Sequence, residues 1–140
     1  MSSQKFGTIR QRVTIDAPPS EVYDTYVNAR RHSEFTGSTA TGTARKGAKF
    51  EAWDGYISGK FLELEKGKRV VQEWKTSEWP TGYPPSILEL RFRGEGGKTE
   101  LSMVHSKVPA EQVQMYNEGW VESYWGPLKE YFKQRGRAGS

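Results

Sequence analysis

The sequence predicts an α+β domain in which a curved antiparallel β-sheet packs against a long C-terminal helix, with two short helices after the first strand. Two observations support this class. Several segments in the middle of the chain alternate apolar and polar residues, as strands with one solvated face do. The end of the chain instead repeats apolar residues at helical spacing. Because 140 residues fit one domain of ordinary size, we expect a single domain to carry the whole function.

The first predicted element is a strand over residues 6–15, which stops at two consecutive prolines. Pro19, with a carboxylate two residues later, suits the first turn of a helix. We expect this helix to end near Asn28 and a second short helix to cover residues 29–35. The stretch that follows is rich in turn-forming residues.

Five further strands are predicted from their alternation, over residues 48–53, 59–65, 70–76, 86–93 and 99–106. In one of them, Leu88, Leu90 and Phe92 point to one face and charged residues to the other, which indicates one buried face. A segment with three prolines, residues 79–85, cannot pair as a strand interior and is predicted to be a loop that carries Trp79 and Tyr83.

The last predicted element is the longest helix, which starts near Pro109. Its apolar residues recur at spacings of three and four, and they are Val113, Tyr116, Trp120, Tyr124 and Leu128. One helix face is therefore apolar and strongly aromatic, and it must pack on the sheet. Because Pro127 has no N–H and clashes with the carbonyl four residues earlier, we expect a bend there.

Composition excludes several kinds of site. The chain has no cysteine, which excludes a disulfide scaffold, a thiol nucleophile and a cysteine-ligated metal. The two histidines, His32 and His105, are far apart, and no metal-ligand motif, phosphate-binding loop or nucleophile elbow is present. We therefore expect no cofactor and no metal, and a non-enzymatic role is the preferred interpretation.

Charge and hydropathy argue against two classes of binding partner, nucleic acids and membranes. The formal net charge is +4, but without Lys133, Arg135 and Arg137 the remainder carries 18 basic and 17 acidic residues. A nearly neutral body argues against nucleic acid as a partner. No apolar run approaches the ~20 residues of a membrane span. We expect a cytoplasmic monomer whose domain covers residues 8–132, between flexible termini at 1–7 and 133–140.

Aromatic residues dominate the candidate site, because 18 of the 140 residues are Phe, Trp or Tyr. Large rings with one polar atom each are typical of small-molecule pockets, but they also fill cores. A cavity and a solid core both remain open at this point. The candidate lining residues are Trp53, Trp74, Trp79, Tyr83, Leu101, Met103, His105, Tyr116, Trp120 and Tyr124.

His105 is the best acid or base candidate by residue type, since it shares a strand face with Leu101 and Met103. The alternative is a structural histidine that is satisfied by a hydrogen-bond partner. His32 follows two arginines and is expected to face solvent. Catalysis would need a partner near such a base, and the carboxylates Glu51, Asp54 and Glu73 have no spacing that pairs any two of them.

The order of elements is that of the helix-grip arrangement, and short motifs carry a closer match. These motifs are residues 50–53, 54–59, 70–74, Trp79-Pro80, 99–105 and 119–128. With them the chain resembles the domain family named for the activator of the ATPase of the 90-kDa heat-shock protein. It is similar to the Aha-type C-terminal domain of the two-domain co-chaperones. The resemblance implies a START-like fold, in which the sheet and the long helix commonly enclose an apolar cavity.

The expected function follows from that fold and from the inward aromatic residues. The leading hypothesis is a protein that binds a small hydrophobic molecule or a lipid between the sheet and the C-terminal helix. The alternative, implied by the resemblance, is a domain that associates with the 90-kDa heat-shock chaperone or serves a stress response. A cyclase-like or hydrolase-like enzyme that uses His105 is the third hypothesis.

Overall fold

In the computed structural model, which describes residues 4–138, the chain forms one seven-stranded antiparallel sheet that curves around the C-terminal helix. The strands in chain order are β1 (Phe6–Ile15), β2 (Thr41–Gly42), β3 (Lys49–Ala52), β4 (Ile57–Glu65), β5 (Arg69–Thr76), β6 (Ser86–Glu95) and β7 (Lys98–Pro109). Their order in the sheet is β1-β7-β6-β5-β4-β3-β2. Strands β2 to β7 therefore form a meander, and β1 pairs with the last of them.

The predicted strands are confirmed, with bounds that differ by a few residues. The largest difference is β7, which continues beyond the predicted end to Pro109 and lies along nearly the whole of β1. β2 was not predicted, because two residues offer no alternation to detect. The segment 79–85 is a loop, as its prolines indicate.

Two short helices follow β1, α1 (Pro19–Val27) and α2 (Ala29–Thr36). Pro19 occupies the first turn of α1, where its missing N–H costs nothing. Asn28 separates the helices, and its side-chain oxygen accepts a 3.0 Å hydrogen bond from the Arg31 backbone N–H at the start of α2. Gly37 ends α2 in the left-handed conformation.

The C-terminal helix covers residues 113–138 in three parts, α3 (Val113–Gly119), a π-helical segment (Trp120–Trp125) and α4 (Gly126–Ala138). The helix widens just before Pro127, and the bend expected at this residue stays a prediction. The Gly126 N–H donates to the carbonyl of Val121, five residues earlier. Because Pro127 has no N–H to donate to Ser123, the π-helical turn accommodates the break in the usual ladder.

The core lies between the concave sheet face and the helices, as the α+β helix-grip prediction requires. Leu88, Leu90 and Leu101 on the sheet are completely buried, and so is Leu128 on α4. No helix among residues 4–138 is long and apolar enough to cross a membrane. Residues 1–3 and 139–140 of the expected flexible termini lie outside the described residues, and the domain limits 8–132 stay a prediction.

Candidate functional site

An aromatic cleft of about 380 Å³ opens between the β4–β5 end of the sheet and the first half of the C-terminal helix. This volume is at the lower end of the range for small-molecule sites. Six of its ten lining residues are aromatic and none is charged. They are Trp53, Tyr56, Ile57, Trp74, Met115, Tyr116, Gly119, Trp120, Ser123 and Tyr124.

The turn between β3 and β4 positions the outer wall of the cleft. Trp53, Asp54 and Gly55 all have positive φ, at 55°, 57° and 89°. The Asp54 N–H donates to the carbonyl of Thr39 at 2.9 Å, which ties this turn to the segment after α2. Left-handed backbone at two successive non-glycine residues is uncommon. It ends the strand before Trp53, and the Trp53 side chain lines the cleft instead of continuing the alternation of β3.

A glycine in β4 permits the approach of β5, which carries Trp74. Gly59 pairs with Trp74, and a Cβ atom on Gly59 would lie 1.8 Å from the carbonyl oxygen of Glu73. Any side chain at position 59 would therefore force the two strands apart. The close pairing keeps Trp74, which is 3% exposed, at the floor of the cleft.

Rings from the sheet and from the helix contact one another around the cleft. The Trp74 and Trp120 centroids are 5.8 Å apart, and those of Trp120 and Tyr124 are 4.6 Å apart. Two pairs are nearly perpendicular, Trp53 with Tyr124 at 73° and Trp74 with Tyr116 at 83°. The Trp74–Trp120 and Trp120–Tyr124 pairs are tilted, at 34° and 40°, so the rings line the cleft at several angles.

His105 lies behind this wall in a fixed chain of hydrogen bonds. Since an indole N–H only donates, Trp120 Nε1 donates to His105 Nδ1 at 3.1 Å. His105 Nε2 must then carry the proton, and it lies 2.7 Å from Ser86 Oγ. Ser86 Oγ in turn donates to the Trp74 carbonyl at 2.7 Å. Both ring nitrogens are used, and the tautomer is determined by the partners.

His105 is completely buried, and burial lowers its pKa to about 3. The imidazole therefore stays neutral at physiological pH. It does not line the cleft, so it lacks direct access to a bound molecule. These contacts favour the structural alternative for His105 over the acid or base role.

His32 is buried, and the expectation that it faces solvent is wrong. Its Nδ1 lies 2.8 Å from the Tyr26 carbonyl and so carries the proton, while Nε2 lies 3.1 Å from the Tyr124 hydroxyl and accepts from it. Burial lowers the pKa of His32. The two arginines before His32 suggested an exposed segment. His32 instead shares a buried helix face with Phe35, three positions further on.

Polar groups gather at one rim of the cleft. The Tyr56 hydroxyl donates a short hydrogen bond to the Glu78 carboxylate. The Tyr116 hydroxyl donates to Gln112 Oε1 at 2.9 Å and lies 2.6 Å from Thr76 Oγ1. Burial and the Glu78 hydrogen bond raise the pKa of Tyr56. Within residues 4–138, the histidines and carboxylates form no group of three that could hold a metal ion.

Comparison with known proteins identifies the family. A profile described as "Activator of Hsp90 ATPase homolog 1-like protein" matches residues 16–133. The chain belongs to this family. The human "Activator of 90 kDa heat shock protein ATPase homolog 1" is 32% identical over 124 residues, which are 89% of this chain and 36% of that protein. A homologue from Dictyostelium discoideum is 26% identical over 126 residues, 89% of this chain and 33% of that protein.

The chain thus spans about a third of the length of these curated relatives. A structure of "an HSP90 activator from plasmodium falciparum" superposes with a TM-score of 0.84 at 21% identity, over 90% of this chain and 96% of that one. CalU16 from Micromonospora echinospora superposes with a TM-score of 0.74 at 24% identity, over 94% of this chain and 84% of that one. The fold and the family predicted from the sequence are confirmed.

The AHSA1-like domain brings half of the ten predicted site residues to the cleft. The five that line it are Trp53, Trp74, Tyr116, Trp120 and Tyr124. Leu101 and Met103 are buried in the core, and His105 lies behind Trp120. Whether the five lining residues contact a ligand stays a prediction.

Trp79 and Tyr83 lie beside a different groove, along the 79–85 loop. Trp79 stacks on Tyr116 with centroids 5.9 Å apart, and its indole N–H donates to the Pro84 carbonyl. Tyr83 packs edge-on against Phe6. Trp79 therefore supports the cleft wall from outside.

Sequence reasoning missed five lining residues, and three of them had a detectable pattern. Met115, Gly119 and Ser123 recur every four residues, each directly before one of the predicted aromatic residues. They form a second stripe beside the aromatic one on the same helix. Tyr56 and Ile57 follow the left-handed turn, and no periodicity assigns them to a face.

Proposed function

We propose that the AHSA1-like domain binds a small apolar molecule in the aromatic cleft. One observation supports this most strongly. In a chain of which 27% of the residues are charged, the ten residues around an opening of about 380 Å³ include no charged side chain. Burial of apolar ligand surface against these rings supplies the binding free energy, at about 25 cal/mol per Å².

The polar atoms of the aromatic walls support the same proposal. Trp120 uses its indole N–H on His105, and Tyr124 uses its hydroxyl on His32. A ligand therefore meets ring carbon atoms at these two residues rather than free hydrogen-bonding groups. Polar groups are available from the hydroxyls of Tyr56 and Tyr116 at the rim and from Ser123, which also lines the cleft.

The test is a titration of ¹⁵N-labelled protein with a pool of hydrophobic metabolites and lipids, followed by backbone and indole NMR signals. The indole signals of Trp53, Trp74 and Trp120 should shift saturably. Trp125, which donates to Gln11 and does not line the cleft, is the internal control. Shifts that fail to saturate, or that affect Trp125 as strongly, would contradict the proposal.

A second candidate function is association with a 90-kDa heat-shock chaperone. Family membership and the name of the human relative favour it. The Plasmodium falciparum structure is covered over 96% of its length, so a chain of this extent has been described as an HSP90 activator. We propose that docking uses the outer sheet face, where Arg69 forms ion pairs with Glu63, Glu65 and Glu89.

This second function is tested by titrating labelled protein with the chaperone and by measuring the chaperone's ATPase rate. Broadening at outer-face residues of β4 to β6, with the indole signals of the cleft unchanged, would support docking through that face. Arg69→Ala should weaken the complex, whereas Lys133→Ala, on α4, should not. Absence of any complex would contradict association, and an unchanged ATPase rate within a complex would contradict activation alone.

A further inference from the structure

The aromatic cleft has features beyond apolarity that point to the charge of its ligand. Its aromatic rings lie at angles between 34° and 83° to one another, the smallest between Trp74 and Trp120 and the largest between Trp74 and Tyr116. Rings at several angles around one volume present some of their electron-rich faces to whatever lies between them, whereas the ring edges carry the positive part of the quadrupole. Such boxes attract cations, since the ring quadrupole is negative on its face.

None of the described residues that line the cleft carries a positive charge. The chain has 21 Lys and Arg residues, yet none belongs to the ten that line the cleft. His105, directly behind Trp120 and Trp74, has both nitrogens occupied and a pKa lowered by burial, so it adds no charge at physiological pH. An anionic headgroup would find no cationic partner among these lining residues.

Negative charge is present at the rim. The Glu78 carboxylate accepts a hydrogen bond from the hydroxyl of Tyr56, which lines the cleft. Glu78 is held there by its backbone, since its N–H donates to Thr76 Oγ1 at 3.2 Å and its carbonyl accepts from Gln112 Nε2 at 2.7 Å. A cation inside the cleft would therefore have the Glu78 carboxylate beside Tyr56, at the rim.

We propose that the ligand of the cleft is a small organic cation with an alkylated ammonium group, which the aromatic rings surround as a cage. This inference rests on the proposed function and specifies a ligand whose apolar surface consists of alkyl groups on a charged nitrogen. An N-alkylated ammonium has a weakly hydrated, spread-out charge, so it enters an apolar site at a lower desolvation cost than a primary ammonium does. The rings and Glu78 then favour it over a neutral molecule of the same shape.

The test compares three probes of nearly equal shape, choline, its neutral carbon isostere 3,3-dimethylbutan-1-ol, and the anion 3,3-dimethylbutanoate. Each is titrated into ¹⁵N-labelled protein while the indole signals are followed. Choline should shift Trp53, Trp74 and Trp120 saturably and bind at least about tenfold more tightly than the alcohol, which is the ratio expected for a desolvated cation–π site. The anion should bind more weakly than either.

Three variants separate the contributions of the rings and of the carboxylate. Trp53→Leu keeps an apolar wall but removes one ring, and it should reduce the preference for choline over the alcohol several-fold. Glu78→Gln keeps an acceptor for Tyr56 and removes the charge, with the same direction of effect and a weaker dependence of choline binding on salt. Tyr131→Leu, an aromatic loss on α4 outside the cleft, is the matched control and should leave the preference unchanged.

The outcomes distinguish this inference from the proposed function. If the neutral alcohol binds at the three cleft indoles as tightly as choline, the cation cage is refuted while an apolar binding site stands. If no probe shifts these indoles saturably, the cation cage is also refuted, and the proposed function is then decided by the titration with apolar metabolites and lipids. A preference for choline that survives both Trp53→Leu and Glu78→Gln would also refute it.

Discussion

Lowering the pH from 7 to 5 should destabilise the domain by about 2 kcal/mol through His105 alone. Burial lowers the pKa of this imidazole from 6.5 to about 3, because the charged ring would lose its hydration in the protein interior. The unfolded chain therefore binds the proton more tightly than the folded chain does. The stabilising contribution is complete above pH 6.5 and is lost as the pH falls toward 3.

The magnitude follows from the two pKa values. The gap between 6.5 and about 3 corresponds to about 5 kcal/mol in total, at about 1.36 kcal/mol per pH unit, and about 2 kcal/mol of this falls between pH 7 and pH 5. The lowered pKa of His32 acts in the same direction in the same window. Glu21 and Glu89 also have lowered pKa values, but their effect begins below 4.5.

Urea unfolding at pH 7, 6 and 5, followed by tryptophan fluorescence, measures this loss. His105→Gln supplies one donor and one acceptor but no titrating group, so its stability should depend less on pH in this window. His32→Gln tests the second imidazole in the same way. Two results would contradict this prediction: a His105→Gln variant that keeps the full pH dependence of the parent, or a His105 ring that titrates near pH 6.5 in the folded protein by NMR.

Two further predictions concern residues that hold the cleft together. Gly59→Ala should destabilise the fold by at least about 3 kcal/mol, because its Cβ would overlap the Glu73 carbonyl. Gly119→Ala is the control in the same urea assay. Gly119 lies in a helix and a Cβ there meets nothing within 4 Å, so this substitution should stabilise the fold by up to about 1 kcal/mol. If the two alanine variants had equal free energies of unfolding, β4 and β5 could separate at position 59 without loss of stability. Tyr124→Phe should lower the free energy of unfolding by about 1–3 kcal/mol, because it leaves His32 Nε2 without its donor. Tyr131→Phe removes an exposed hydroxyl and should change that free energy by no more than about 0.5 kcal/mol. Similar losses in the two variants would mean that the hydrogen bond to His32 does not stabilise the fold.

The alternation of most strands could be predicted because those strands have one buried face. In β7, Leu101, Met103 and His105 are buried and the residues between them are not, as period two requires. The apolar stripe of the last helix was equally visible in the sequence. Both patterns depend on local spacing, which the sequence records directly.

The π-helical segment could not be predicted, because it changes the spacing itself. The hydrogen bond from the Gly126 N–H to the Val121 carbonyl adds one residue to the helical turn. As a result Tyr124 and Trp125 are both buried, although neighbouring residues of a helix point in different directions. A regular helix would turn Trp125 away from the face that carries Tyr124. The left-handed backbone of Trp53 is similar, since a tryptophan has no local preference for this conformation, and the Asp54 N–H bond to the Thr39 carbonyl ties the turn to a distant segment.

The same hydrogen bonds that make the cleft apolar decide which of its residues can report on binding. Trp120 is 2% exposed and donates to His105, so Trp120→Ala would leave a buried imidazole nitrogen unpaired and open a cavity, at a cost of about 3–5 kcal/mol. A loss of binding in that variant would therefore be inseparable from a loss of folding. Trp53 is only partly buried and lies on a turn outside the sheet, so its substitution alters the wall of the cleft while the core stays intact.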